Sequence, residues 1–116
     1  PEELRVRTVA KKSMQKVKII QDIDRKLPLD DIAVAEGLSF DELLSKIEEI
    51  VFSGTKLNID YFLNDIYDED KIDDIYDYFM NSHTDSIDEA LKELDEDYTD
   101  EDIRLVRIKF ISEMAN

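Results

Sequence analysis

The stretch Leu29-Asp30-Asp31-Ile32-Ala33-Val34-Ala35-Glu36-Gly37-Leu38-Ser39-Phe40-Asp41-Glu42 decides the fold. Ile32, Ala33 and Val34 sit in a short helix whose start lies near Asp30 or Asp31, and Gly37 ends it as a left-handed cap where a side chain would clash. Ser39 and Glu42 form a capping box, which opens a second helix over 40–52 carrying Phe40, Leu43, Leu44, Ile47, Ile50 and Val51. Helix, Gly-Leu-Ser turn, helix is a helix-turn-helix pattern: Ala permits close approach, Gly makes the turn and Leu fills the corner.

Upstream, residues 8–26 predict a first helix with Ala10, Met14, Val17, Ile20 and Leu27 as its apolar stripe, broken by Pro28. Downstream of Ser53-Gly54, residues 56–60 read as a short extended piece or a direct lead into the next helix. Further helices are predicted over 60–66, 69–81 (capped by Asp68), 87–94 (capped within Thr84–Ser86) and 100–114 (capped by Thr99). In the 69–81 helix Ile72, Ile75, Tyr76, Phe79 and Met80 are expected to point inward. In the 87–94 helix the same is expected of Ile87, Ala90, Leu91 and Leu94. The last helix has a stripe of Ile103, Val106, Phe110 and Met114, widened by Leu105 and Ile108, which implies contacts on two sides. The expected fold class is all-α: a helix-turn-helix three-helix core over 1–58 with a basic N-terminal helix, plus an acidic helical C-terminal subdomain over 59–116. Two glycines and two prolines in 116 residues are too few for a turn-rich sheet protein.

The formal net charge of −15 opposes nucleic-acid binding by the chain as a whole. The charge is uneven, however. Residues 1–27 hold eight basic against four acidic side chains, a surplus of four. Residues 28–116 hold seven basic against twenty-six acidic, a deficit of nineteen. On the first helix Lys11, Lys18 and Arg25 stack at seven-residue intervals on a face of their own, with Lys12, Lys16 and Lys26 nearby. Lys11, Lys12, Lys18 and Arg25 are the candidate DNA-phosphate contacts, of roughly micromolar or weaker, salt-sensitive affinity. The competing reading is a solvated face that pairs with the acidic body. The second helix of the motif is a poor base reader. Its polar positions are Asp41, Glu42, Ser45, Lys46, Glu48 and Glu49, where DNA readers carry Arg, Lys, Asn or Gln. It is expected to be architectural or to dock a protein.

Catalytic and metal chemistry find little support. With only Gly37 and Gly54, a Gly-x-x-x-x-Gly-Lys-Ser/Thr phosphate loop cannot exist. His83 is the sole histidine and there is no cysteine, so no zinc site or catalytic triad is formed. Asp68, Asp70 and Asp74, and again Asp95, Asp97 and Thr99, approach calcium-loop spacing but lack its Gly and closing Glu. Capping and solubility are the expected roles of these carboxylates. The tyrosines Tyr61, Tyr67, Tyr76, Tyr78 and Tyr98 could stack bases, but core filling or a protein interface is the stronger expectation in so acidic a segment. No apolar run approaches the roughly 20 residues that span a bilayer, so no membrane contact and a cytoplasmic location are expected. A first residue of Pro1 predicts a piece of a longer chain.

Several strings resemble the C-terminal end of bacterial RecQ-type ATP-dependent DNA helicases: Leu4–Ser13, Ile23–Lys26, Ile50–Tyr61 and Glu101–Asn116, the closing Arg104–Asn116 being the more specific sign. The likeness covers nearly the whole chain, ending at what resembles a natural C-terminus, and residues 8–63 resemble the helix-turn-helix unit at the ends of several helicases. The resemblance implies a non-catalytic accessory domain of a 3′-to-5′ DNA-unwinding enzyme of recombination and repair. The motor domains that use ATP and Mg²⁺ would lie upstream, so no catalytic residue or cofactor is carried onto this chain. Its DNA partner would be met mainly through that parent enzyme. Two other readings stand beside it. One is an acidic protein-interaction or autoregulatory module that mimics DNA; the other is an oligomerisation domain that uses the wide stripe of the last helix.

Overall fold

Hydrogen bonds between near neighbours set most helix ends in this chain. The computed structural model describes residues 14–114, which form seven helices. The first, α1, is described over residues 14–24. It is followed by α2 (Leu29–Glu36), α3 (Phe40–Phe52), α4 (Asp60–Ile66), α5 (Glu69–Asn81), α6 (Ile87–Glu93) and α7 (Asp100–Met114). No strand occurs among the described residues, so the fold is all-α. Residues 55–59 are an irregular lead into α4.

The caps follow the local sequence. The Glu42 N–H donates to Ser39 Oγ (3.1 Å) and the Ser39 N–H donates to Glu42 Oε1 (3.0 Å), completing the capping box of α3. Asp68 and Ser86 accept from the N–H groups of Lys71 and Glu89 and so cap α5 and α6. Thr99 and Asp102 exchange bonds of 3.1 and 3.0 Å at the start of α7, a second box with Asp in the place of Glu. Each such cap contributes about 1 kcal/mol. Gly37 takes φ 68°, and Leu38 N–H returns to the Ala33 carbonyl to close α2.

Two expectations at the front of the molecule are corrected. The first helix stops at residue 24, not 26, because Lys26 adopts φ 62° and its N–H and that of Leu27 turn back to the Ile23 and Asp22 carbonyls. Pro28 is then the N-cap residue of α2 rather than the breaker of α1. The buried face of α1 also differs. Ile19 and Ile23 are in the core, while Met14 and Val17 are 72% and 50% exposed and Leu27 is exposed too. The reason is Asp22, which lies on the buried face and accepts from Lys18 Nζ at 2.9 Å. A satisfied acid in the middle of the inward arc hides it from a hydrophobicity count. Ala10 and residues 8–13 lie outside the described residues.

α7 is the organiser of the fold. It packs against α3, α4, α5 and α6, and buries Ile103, Leu105, Val106, Ile108 and Ile111 around much of its circumference. The breadth expected of its apolar stripe is therefore used inside the molecule. Its end departs from expectation, since Met114 is exposed, as are Met80 of α5 and Leu91 of α6. The core runs without interruption from Ile19, Leu29 and Ile47 through Leu63 and Ile75 to Val106. Phe110 stacks on Phe79 and meets Tyr76 edge-on, at centroid distances of 5.7 and 5.6 Å.

Candidate nucleic-acid interface

In a helix-turn-helix protein the second helix of the motif offers its outer face to DNA. Here that helix is α3, and one flank of its outer face is bonded to α7. Arg104 of α7 donates from Nη1 to Asp41 Oδ1 (2.5 Å), and from Nη2 to Ser45 Oγ (3.2 Å) and Glu48 Oε1 (2.7 Å). Arg107, one turn further along α7, pairs with the other oxygen of Glu48 and donates to the Asp85 carbonyl at 2.9 Å. Its guanidinium also lies over the Phe52 ring, 5.3 Å from the centroid. The Glu48 bond, followed by that to Asp41, outweighs burial and raises the Arg104 pKa above its already high value, so the charge is permanent. Three of the six polar positions of α3 are thus consumed by α7. Sequence reading identified the six but not their partners, which lie 56 to 63 residues away.

The lead into α4 and α4 itself are held to α7 as well. Ser112 Oγ, buried, accepts from the Leu57 N–H (2.7 Å) and donates to the Leu57 carbonyl (2.9 Å). Lys109 bridges Asp60 (2.9 Å) and Glu113 (2.8 Å), which raise its pKa against the opposing effect of burial. At the other end of α7, Lys71 of α5 contacts Asp102 at 2.7 Å, and Tyr67 Oη donates to the same carboxylate at 2.5 Å. Burial alone would raise the Asp102 pKa, but Lys71, the Thr99 N–H and Tyr67 together hold it below the usual carboxylate range.

Of the four expected phosphate contacts, Lys11 and Lys12 lie outside the described residues. Lys18 is half-exposed, its ammonium tied to Asp22. Arg25 is exposed in the turn after α1 and has no ion pair among the described residues. The tyrosines do not form a stacking row. Each is partly buried against the core: Tyr61 donates to the Leu27 carbonyl (2.5 Å), Tyr98 to Asp74 (2.8 Å), and Tyr78 meets Phe79 edge-on. The carboxylates of the calcium-like strings act locally. Asp68 caps α5, and Asp95 accepts from the Asp97 N–H. Among the described residues no group of three or more His, Cys, Asp or Glu side chains is placed to hold a metal ion. No helix among them is long and apolar enough to cross a membrane.

The three-helix unit α1–α3, with its glycine-capped α2 and boxed α3, is of the helix-turn-helix class. Residues 13–63 match the family model of the RecQ-1-like helix-turn-helix domain, which supports a RecQ C-terminal helix-turn-helix region in this part of the chain. Among curated proteins no sequence matches the chain.

Proposed function

We propose that the chain is a non-catalytic C-terminal accessory domain of a RecQ-like ATP-dependent DNA helicase of recombination and repair, working in the cytoplasm. DNA is engaged weakly through the basic front of the molecule, and ATP and Mg²⁺ belong to the motor domains of the parent enzyme. The observation that carries this reading is the clasp of Arg104 on Asp41, Ser45 and Glu48. It ties one flank of α3 to α7, and the helix carries four carboxylates against the single Lys46, so base readout in a major groove is disfavoured twice over. The basic side chains Lys11, Lys12, Lys18 and Arg25 near the front of the sequence are the alternative route to phosphate. Titrating the chain against a forked duplex at low salt tests this. Charge reversal of all four residues to Glu should weaken binding at least tenfold, and unchanged affinity would remove DNA contact through them.

A second reading draws on α5, whose Glu69, Asp70, Asp73, Asp74 and Asp77 are all exposed. This surface fits a basic protein partner, including the DNA channel of the motor itself. Adding the chain in trans to a helicase truncated before residue 1 separates the two: inhibition relieved by salt favours mimicry of DNA.

A further inference from the structure

We propose that the groove between α1 and α3 seats the DNA phosphate backbone between Lys16 and Lys46. This inference rests on the DNA-contacting role proposed above and adds a second point of contact to it. The groove has a volume of about 270 Å³, with Ile19 and Ile50 among its lining. Gln15 and Lys16 line it from α1, and Lys46 from α3. Ser53 lies at the same wall, its hydroxyl already donating to the Ile50 carbonyl at 2.7 Å. Glu49 is the one carboxylate in the lining and leaves the groove with a surplus of one positive charge.

That surplus is informative because acids outnumber bases by 30 to 15 in this chain. Most described cations are paired: Lys18 with Asp22, Lys71 with Asp102, Lys92 with Glu89, both α7 arginines with Glu48, and Lys109 with Asp60. Lys16 and Lys46 come from different helices onto one groove, and neither has an ion pair among the described residues. Lys46 is also partly buried, so its stem is held at the groove wall. Glu42, one turn before Lys46, is engaged in its capping bonds with Ser39. A backbone phosphate can bridge two ammonium groups and accept from the Gln15 amide.

The groove is distinct from the row that contains Lys18 and Arg25. At about 100° per residue, Lys18 leaves α1 roughly half a turn away from Lys16, and Arg25 lies beyond the helix in the turn that follows. On α3, Lys46 likewise lies on a different flank from the Asp41–Ser45–Glu48 line that Arg104 covers. The clasp of α7 therefore leaves the groove open.

The test is fluorescence anisotropy of a labelled forked duplex with the whole chain at low salt. Lys16→Glu/Lys46→Glu should lower affinity at least tenfold, and Lys16→Ala/Lys46→Ala should lower it less while flattening the salt dependence of log K by about 2. Lys56→Glu/Lys92→Glu, an equal charge change at exposed sites elsewhere, should have a much smaller effect, and circular dichroism should show equal helix content in all three. If the groove variants bind like wild type while Lys18→Glu/Arg25→Glu abolishes binding, DNA contact stands and the groove is wrong. An equal loss in the control variant also overturns it. A wild-type chain that does not bind the duplex at all overturns both the groove and the DNA contact proposed above.

Discussion

The Arg104 guanidinium of α7 and the Glu48 carboxylate of α3 meet at 2.7 Å, with each side chain only 12% exposed. The pair lies 56 residues apart in the chain and ties the helix-turn-helix unit to the last helix. Arg107 shares the same carboxylate and has its Nε buried without a hydrogen-bond partner, so the cluster leaves little slack for losing a member.

Breaking this cluster should be costly. Glu48→Ala leaves two little-exposed guanidinium groups without their shared anion and is expected to destabilise the chain by about 3 kcal/mol. Arg104→Ala should cost about 2 kcal/mol, since Arg107 still holds Glu48. Urea denaturation of both single variants and the double variant should give a coupling energy of about 1.5 kcal/mol or more. A coupling near zero would mean that α7 is held by its apolar face alone.

Stability should fall at both ends of the pH scale, for opposite reasons. Burial, then the Asp22 charge, pushes the Tyr61 hydroxyl up to about 12; the hydrogen bond to Asp74, then burial, does the same for Tyr98. Burial and the bond to Asp102 also raise Tyr67. The folded chain thus keeps protons that an unfolded tyrosine loses near pH 10, so stability is intact below about pH 10 and declines as pH rises beyond it. Asp102 works in reverse. Its pKa is lowered on folding, so its contribution is full above the unfolded value near 4 and is lost as pH falls through the folded one. Urea midpoints measured across pH should show a shallower alkaline decline in Tyr67→Phe and a flatter acid limb in Asp102→Asn. Parallel curves for variant and wild type would exclude these groups as the source.

Two left-handed residues should respond in opposite directions to substitution. Gly37 at φ 68° has open space around a notional Cβ, so Gly37→Ala meets only backbone strain and should cost about 1 kcal/mol. Lys26 at φ 62° already bears that strain, so Lys26→Gly should be neutral or stabilise by up to about 1 kcal/mol. Thermal or urea unfolding of the two variants checks both signs.

What could be read from the residues in order was whatever is settled within one turn of chain. The Ser39–Glu42 box, the Asp68, Ser86 and Thr99 caps and the Gly37 turn all join groups no more than five residues apart, so residue types at fixed spacing define them. The all-α class and the helix-turn-helix motif follow from those caps and the apolar period between them. Only the tertiary structure decided which arc of α1 faces inward, because its apolar residues fill adjacent arcs and Asp22 interrupts the true one. The same holds for what α3 does with its polar face. Asp41, Ser45 and Glu48 could have faced solvent, DNA or protein, and the choice was made by an arginine 56 to 63 residues away. Local periodicity carries no information about partners at that separation. They are fixed only when burial of the apolar face of α7 brings Arg104 and Arg107 beside α3, where low exposure makes the ion pairs strong.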